Sequence, residues 1–142
     1  MNTIQLCDRL LDDGYEELKS ALPGVSIVQV IHVTGEESLA EARAIASRVD
    51  GILLDSGNQK LAVKELGGTG RTHDWTLSRR ICDAVSVPVY LAGGLHSDNV
   101  ALAVEKVSPF GVDLCSGVRT DGRLDEAKLG RFMSAVFGGQ EQ

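Results

Sequence analysis

Short apolar runs alternate with amphipathic stretches along the chain, and this alternation limits the folds that it can adopt. Runs such as Ser26–Val30 and Gly51–Leu54 are mostly apolar rather than alternating, which is typical of parallel strands covered by helices. Five consecutive βα units therefore predict an α/β protein with right-handed crossovers. The predicted strands are Thr3–Leu6, Val25–Val33, Gly51–Leu54, Pro88–Leu91 and Gly111–Leu114, and the predicted helices are Gly14–Leu22, Glu36–Arg48, Asp74–Ala84, Asp98–Val107 and Asp125–Val136.

Several helix boundaries carry local signals. The segment Thr34-Gly35-Glu36-Glu37 fits a capping box, and Ser97 is expected to cap the helix that begins near Asp98. Pro23-Gly24 ends the first helix, because neither residue continues a helix well.

Two architectures fit this order of elements: an open doubly wound sheet and part of a (β/α) barrel. The pattern alone does not separate them. A complete eight-unit barrel typically needs about 250 residues, and this chain has 142. The chain has no low-complexity tract or linker, so we expect one domain over residues 1–142.

Composition excludes several classes of function. With 43% hydrophobic and 24% charged residues the chain has the composition of an ordinary soluble globular protein. Its net charge of −6 counts against nucleic-acid binding, which needs clustered Lys and Arg. No apolar run approaches the roughly 20 residues of a membrane span, and the acidic N-terminal region does not resemble a secretory signal. We therefore expect a cytoplasmic protein.

The cysteines and histidines also favour a cytoplasmic protein, without disulfides and without a metal site. Cys7, Cys82 and Cys115 are an odd set without paired spacing, which indicates reduced thiols rather than a disulfide framework. The three histidines are far apart and lack metal-ligand spacing, so the sequence predicts no metal site.

Polar residues and glycines follow nearly every predicted strand, at the carboxyl ends where both architectures bind ligands. Asp55 directly follows a buried run and can serve either as a general acid or base, with a pKa raised by burial, or as a loop cap. Asp113 lies inside a predicted strand, where it either bonds a neighbouring strand or loop or points into the mouth of a site.

Glycines mark the candidate anion site. Gly93-Gly94 and Ser116-Gly117 end the last two predicted strands, so several N–H groups would face one point, as in barrel phosphate sites. The run Gly67-Gly68-Thr69-Gly70 lies in a predicted loop between Asp55 and His73, which exceeds the usual loop length.

Four segments together resemble the phosphoribosylanthranilate isomerase family of tryptophan biosynthesis, which is a TIM-type (β/α)₈ barrel. They are Ile52–Ser56 (ILLDS), Leu66–Trp75 (LGGTGRTHDW), Leu91–Leu95 (LAGGL) with Asn99-Val100, and Gly111–Val118 (GVDLCSGV). The resemblance spans essentially the whole chain. It implies a partial barrel of about five βα units that corresponds to the family's strands 4–8.

The resemblance also implies roles for individual residues. The family isomerises an N-glycosidic aminoaldose to an aminoketose without a metal or organic cofactor, which implies a phosphorylated sugar as ligand. The implied general acid is Asp55. The implied phosphate-binding residues are Gly93, Gly94, Ser116 and Gly117, and the implied substrate-facing residues are Asp113 and, lining the same mouth, Gly68, Thr69 and Gly70.

The family's base is a cysteine in a Lys-Ile-Cys-Gly segment, and this chain has no such segment. Cys7 ends the first strand here, where it is either a substitute base or a small apolar-like strand-end residue. Three functions therefore stay open: an isomerase chain, a non-catalytic phosphosugar-binding module, and an assembly module with open strand edges. In each case we expect a homo-oligomer or a partner that supplies the missing barrel strands.

Overall fold

A computed structural model describes residues 1–55 and 69–138, of which 69–74 are described by their backbone alone. A parallel sheet contains β1 (Thr3–Leu6), β2 (Ser26–His32), β3 (Gly51–Asp55), β4 (Val89–Ala92) and β5 (Gly111–Val112). The helices are α1 (Gly14–Ala21), α2 (Glu36–Ile45), α3 (Thr69–Ala84), α4 (Val100–Val107) and α5 (Glu126–Phe137). A 3-10 turn at Ser116–Val118 leads into a small hairpin of β6 (Arg119–Thr120) and β7 (Arg123–Leu124).

The order of the strands decides between the two architectures that the sequence left open. The five strands lie in the order β1-β2-β3-β4-β5, and each neighbouring pair is parallel. A doubly wound sheet reverses its strand order at a switch point, whereas consecutive strands of a (β/α) barrel stay neighbours. The predicted partial barrel is therefore confirmed.

The two faces of the sheet bury different amounts of surface. Ile27, Ile52 and Leu91 point to the outer face, where the helices cover them completely. A smaller apolar cluster of Val30, Leu53 and Ala92 lies on the inner face, which would be the interior of a closed barrel. The central strands are thus apolar on both faces, as their sequence pattern indicated.

A buried polar network attaches β1 to the rest of the sheet. The hydroxyl of Tyr15 in α1 donates to Oε1 of Gln29 in β2 at 2.8 Å. The side-chain nitrogen of Gln29, Nε2, donates to the Leu6 carbonyl oxygen at 3.1 Å and to the Asp8 carbonyl oxygen at 3.3 Å. The Leu10 N–H donates back to the Tyr15 hydroxyl at 3.3 Å. Since both side chains are buried, these bonds replace water and fix the segment that follows β1.

The strand bounds agree with prediction to within one residue, except at β5. That strand ends at Val112 rather than Leu114, so the prediction that Asp113 lies inside it is wrong. The neighbouring strand β4 ends at Ala92, and little backbone remains for β5 to pair with. The Asp113 N–H continues the ladder by one bond, donating to the Leu91 carbonyl at 2.9 Å.

Two predicted caps are wrong. Ser97 does not cap α4, whose N-cap residue is Asn99, because the chain turns once more before the helix begins. Thr34 does not complete a capping box. Gly35 is the N-cap of α2, and the Thr34 hydroxyl donates to the Glu37 carboxylate at 2.9 Å.

The longest helix of the described ranges, α3, differs most from prediction. It begins at Thr69 rather than near Asp74, so Thr69–His73 do not belong to the predicted loop. No proline interrupts this stretch, and a helix tolerates glycine best in its first turn, where N–H groups lack intrahelical partners anyway. Across residues 1–55 and 69–138, no helix combines the length and apolarity needed to cross a bilayer.

Replacing Tyr15 by Phe tests the buried network. The variant leaves Oε1 of the buried Gln29 without its donor, so we expect the free energy of unfolding to fall by about 1–3 kcal/mol. Urea denaturation measures the change. Tyr90→Phe is the matched control, because no hydrogen bond of the Tyr90 hydroxyl occurs within the described residues, and it should shift stability by under about 0.5 kcal/mol. Equal losses in the two variants would contradict this role for the network.

Candidate active site

Three residues form a row at the carboxyl edge of the sheet. The parallel register pairs His32 with Asp55 and Asp55 with Ala92, and paired residues of parallel strands point to the same face. This face is the inner one, which also carries Val30 and Leu53. The end of β3 therefore lies between an imidazole on one side and the glycine turn after β4 on the other.

Asp55 has an acid–base neighbour in His32. The Nδ1 atom of His32 lies 3.5 Å from Oδ2 of Asp55, and the two side chains are 65% and 33% exposed. A backbone hydrogen bond joins the same two strand ends: the Val33 N–H donates to the Asp55 carbonyl at 3.1 Å. Sequence reasoning expected a buried carboxyl, whereas this one is partly solvated at the open mouth of the sheet.

Asp113 lies on the same face as Asp55. Because Leu91 pairs with Val112, the next residue along each strand brings Asp113 beside Ala92. The Asp113 side chain is exposed. The register therefore places two carboxylates at this edge, one on each side of the end of β4.

The turn after β4 is built from two glycines in the left-handed region. Gly93 has φ +90° and Gly94 has φ +64°, which side chains rarely adopt. Asn99 closes the turn: its Nδ2 donates to the Gly94 carbonyl at 3.0 Å, and its Oδ1 accepts from the His96 N–H at 2.9 Å. Within the described ranges, no hydrogen bond from the Gly93 or Gly94 N–H group occurs, so these donors can meet an anion.

The second glycine-containing strand end packs directly on the first. A Cβ at Gly117 would collide with the carbonyl oxygen of Leu95 and would lie 3.3 Å from the His96 Cα. Only glycine fits between these two backbones. Ser116 and Gly117 begin a 3-10 turn, and the first N–H groups of a helical turn lack partners within it. The two predicted phosphate loops are therefore brought together.

Other candidate residues lie apart or outside the described ranges. Gly68 lies outside them, and Thr69 and Gly70 form the backbone of the first turn of α3. Cys7 is exposed just beyond the β1 strand end, separated from the β3 end by β2. In the described part of the chain, no cluster of three or more His, Cys, Asp or Glu residues could hold a metal ion.

The family model for N-(5'-phosphoribosyl)anthranilate isomerase matches residues 1–135 of the chain. The chain belongs to this family. An N-(5'-phosphoribosyl)anthranilate isomerase of Haloferax volcanii is 44% identical over 136 residues, which are 95% of this chain and 58% of that protein. Its counterpart in Methanocella arvoryzae is 40% identical over 119 residues, or 84% of this chain and 54% of that protein. The chain thus spans between half and three fifths of the length of these relatives.

Solved structures agree with this assignment. The phosphoribosyl anthranilate isomerase of Thermococcus kodakaraensis superposes with a TM-score of 0.76 at 32% identity, over 95% of this chain and 63% of that one. The chain therefore has the fold of part of a family barrel, as its strand order indicated.

Sequence reasoning missed three residues that shape the site. His32 lies near the end of the predicted strand Val25–Val33, and its contact with Asp55 depends on register, which the sequence does not display. Asn99 was noted only as part of a motif, although Asn near a Gly-Gly turn is a familiar local hydrogen-bonding signal. Ser38 in α2 bonds the β2–α2 turn and could not have been foreseen, because polar residues in predicted helices usually face solvent.

Replacing Gly117 by Ala tests the close contact between the two loops. The new methyl group must displace the Leu95 carbonyl, so we expect a loss of stability of about 1–3 kcal/mol and a smaller rise in melting temperature on adding inorganic phosphate. Differential scanning fluorimetry measures both. Gly130→Ala in α5 is the control, because open space surrounds that Cβ position and the change should stabilise the helix by about 0.5–1 kcal/mol. An unchanged phosphate response in Gly117→Ala would contradict the loop contact's role.

Proposed function

We propose that this chain carries the general acid and the phosphate-binding loops of a phosphoribosylanthranilate isomerase site in tryptophan biosynthesis. The observation that carries the proposal is the convergence of Asp55, Gly93-Gly94 and Ser116-Gly117 on one edge of the sheet. A carboxyl group beside an anion site suits a substrate that holds a phosphate at one end and a reacting sugar ring at the other.

In the proposed reaction the Asp55 carboxyl group donates its proton to the ribose ring oxygen as the C1–O bond breaks. The lone pair of the substrate nitrogen forms the C1=N bond, and a base then removes the C2 proton, which leads to the aminoketose. Positioned acids of this kind typically contribute 10²–10⁴-fold to rate. The phosphate remains fixed by backbone N–H groups of the two glycine turns throughout.

Asp113, Gly68 and the first two residues of α3 have supporting roles in this proposal. Asp113 is exposed beside the end of β4, where it faces the substrate from the side opposite His32. Gly68, Thr69 and Gly70 would line the same mouth, as the family resemblance implies. The reaction in this form uses no metal and no organic cofactor.

The base that removes the C2 proton is assigned to no residue of this chain. Cys7 is exposed at the end of β1, whereas the family resemblance assigns this role to a segment without a counterpart here. We therefore propose that the base comes from barrel strands supplied by another polypeptide segment.

Asp55→Asn tests the acid role, because the amide keeps the shape of the side chain but cannot supply the proton. Turnover is followed as loss of phosphoribosylanthranilate fluorescence. It is measured for the chain alone and with the unmatched part of the Haloferax volcanii relative added as a separate polypeptide. We expect a loss of 10²-fold or more in kcat, with the phosphate-induced rise in melting temperature retained. Where the unsubstituted chain turns the substrate over, alone or with the added segment, equal turnover by Asp55→Asn would contradict the acid role.

A second candidate function is a non-catalytic phosphosugar-binding module. The specific observation in its favour is that both glycine turns lie within the described residues, whereas the Lys-Ile-Cys-Gly segment that carries the family's base has no counterpart in this sequence. Stabilisation by a ribulose phosphate in a chain without turnover, with or without the added segment, would favour this candidate over the isomerase.

Exposed apolar side chains at the end of the sheet suggest an oligomer or a complementing partner. Within the described residues β1 and β5 each pair with one strand only, and Phe110, next to β5, is 72% exposed. Met133 and Phe137, one turn apart on α5, are 45% and 55% exposed. Unpaired edges bordered by apolar side chains promote association.

We expect the isolated chain to form a homo-oligomer. Light scattering at micromolar concentration measures its molar mass in solution. Phe110→Asp combined with Met133→Lys should shift it toward monomer, because charges oppose burial of these positions. A matched double substitution at exposed polar positions, Glu16→Gln and Arg43→Gln, should leave the oligomer unchanged. A monodisperse monomer of the unsubstituted chain would count against the proposal.

The cysteines support a cytoplasmic location for this protein. All three are unpaired, and Cys7 and Cys115 are exposed, which fits a reducing compartment. Burial, with a smaller contribution from Asp83, raises the pKa of the Cys82 thiol to about 11, so that thiol stays protonated and unreactive.

A further inference from the structure

The end of β2 is held in place more firmly than an exposed loop normally is. The carbonyl oxygen of His32 accepts from the Ser38 hydroxyl at 3.3 Å, and that hydroxyl accepts from the Thr34 N–H at 3.1 Å. Ser38 is only 1% exposed. On the other side the Val33 N–H donates to the Asp55 carbonyl at 3.1 Å. The backbone on both sides of the His32 ring is thereby fixed relative to β3.

The ring of His32 meets Asp55 through one nitrogen. Nδ1 lies 3.5 Å from Oδ2, and a carboxylate beside an imidazole nitrogen favours a proton on that nitrogen. An ion pair as exposed as this one contributes little to stability. Its consequence is therefore the orientation of the carboxylate, since a contact at Oδ2 restricts rotation of the group about its Cβ–Cγ bond.

We propose that His32 is a positioning residue that holds the Asp55 carboxyl group, through its Nδ1–H, in the orientation from which Asp55 acts on the substrate. This inference rests on the proposed acid role of Asp55. His32 contacts the acid rather than the substrate. Its tautomer therefore reports whether the contact with Asp55 exists.

His96 provides an internal contrast. Its Nδ1 accepts a hydrogen bond from the Asp98 N–H at 3.3 Å, so in the neutral ring the proton must be on Nε2. The two histidines should therefore be opposite tautomers: Nδ1–H in His32 and Nε2–H in His96. A histidine that merely lies on the surface has no reason to take the His32 form.

The spectroscopic test is long-range ¹H–¹⁵N correlation of the imidazole rings of the whole chain, in alkaline solution where imidazoles are neutral. Signals are assigned with His32→Gln, His73→Gln and His96→Gln. We expect the Nδ1–H pattern for His32 and its loss in Asp55→Leu, with the His96 pattern unchanged in that variant. An Nε2–H pattern for His32 in the unsubstituted chain would overturn the inference, whether or not the chain is active.

The kinetic test uses the fluorescence assay described for Asp55. His32→Leu should lower kcat on the order of 10- to 100-fold, because a misplaced acid group loses its productive geometry, while KM and the phosphate-induced stabilisation change little. His32→Asn should restore most of the activity, since its amide nitrogen offers a donor near the position of Nδ1.

The two tests separate this inference from the proposed function. Loss of turnover in Asp55→Asn with full turnover in His32→Leu would overturn the positioning role and leave the acid role standing. If no combination of chain and added segment turns over, the proposed function fails, and the tautomer of His32 alone decides whether the pair exists.

Discussion

Backbone hydrogen bonds between β2, β3 and β4 place His32 beside Asp55 and Asp55 beside Ala92. A slip of one residue in this register would turn each of these side chains to the opposite face of the sheet. The outer face prevents such a slip, because Ile52 and Leu54 are fully buried there against the helices. Packing on one face thus determines which polar groups meet on the other.

The site also depends on contacts between backbones rather than between side chains. Asn99 ties the turn after β4 to the start of α4, and Gly117 allows the 3-10 turn to lie against Leu95. Neither residue needs to touch a ligand to matter, since both set where the N–H groups of the glycine turns point. Anion recognition by backbone groups needs this kind of support, because a peptide N–H cannot move without moving the chain.

Local patterns in the sequence were sufficient for the order of elements and for the strand ends. The run Ile52–Leu54 followed by Asp55 predicted a buried strand with a carboxylate at its tip, and that is where both lie. Local signals failed where a nearby alternative competed. Serine is a residue type that often caps helices, which favoured Ser97. The turn instead continues to Asn99, which is the N-cap of the helix and also donates a hydrogen bond to the preceding loop.

Features that depend on distant parts of the chain could not be read from the sequence. The extent of β5 is set by where β4 ends, and the contact of His32 with Asp55 is set by strand register. The buried pair of Tyr15 and Gln29 joins a helix to a strand 14 residues away. A polar residue in a strand gives no sign of the partner that it will find.

We propose that the carboxyl ends of β4 and β5 form one anion site beside Asp55. Its most direct test is titration of the ¹⁵N-labelled chain with inorganic phosphate, followed by amide ¹H–¹⁵N correlation. We expect concentration-dependent shifts of the amide signals of Gly93, Gly94, Ser116 and Gly117. A competing location is a groove on the helical side, lined by Trp75, Thr76, Arg79 and Lys106. Shifts confined to that groove, with the glycine turns unaffected, would contradict an anion site at these strand ends.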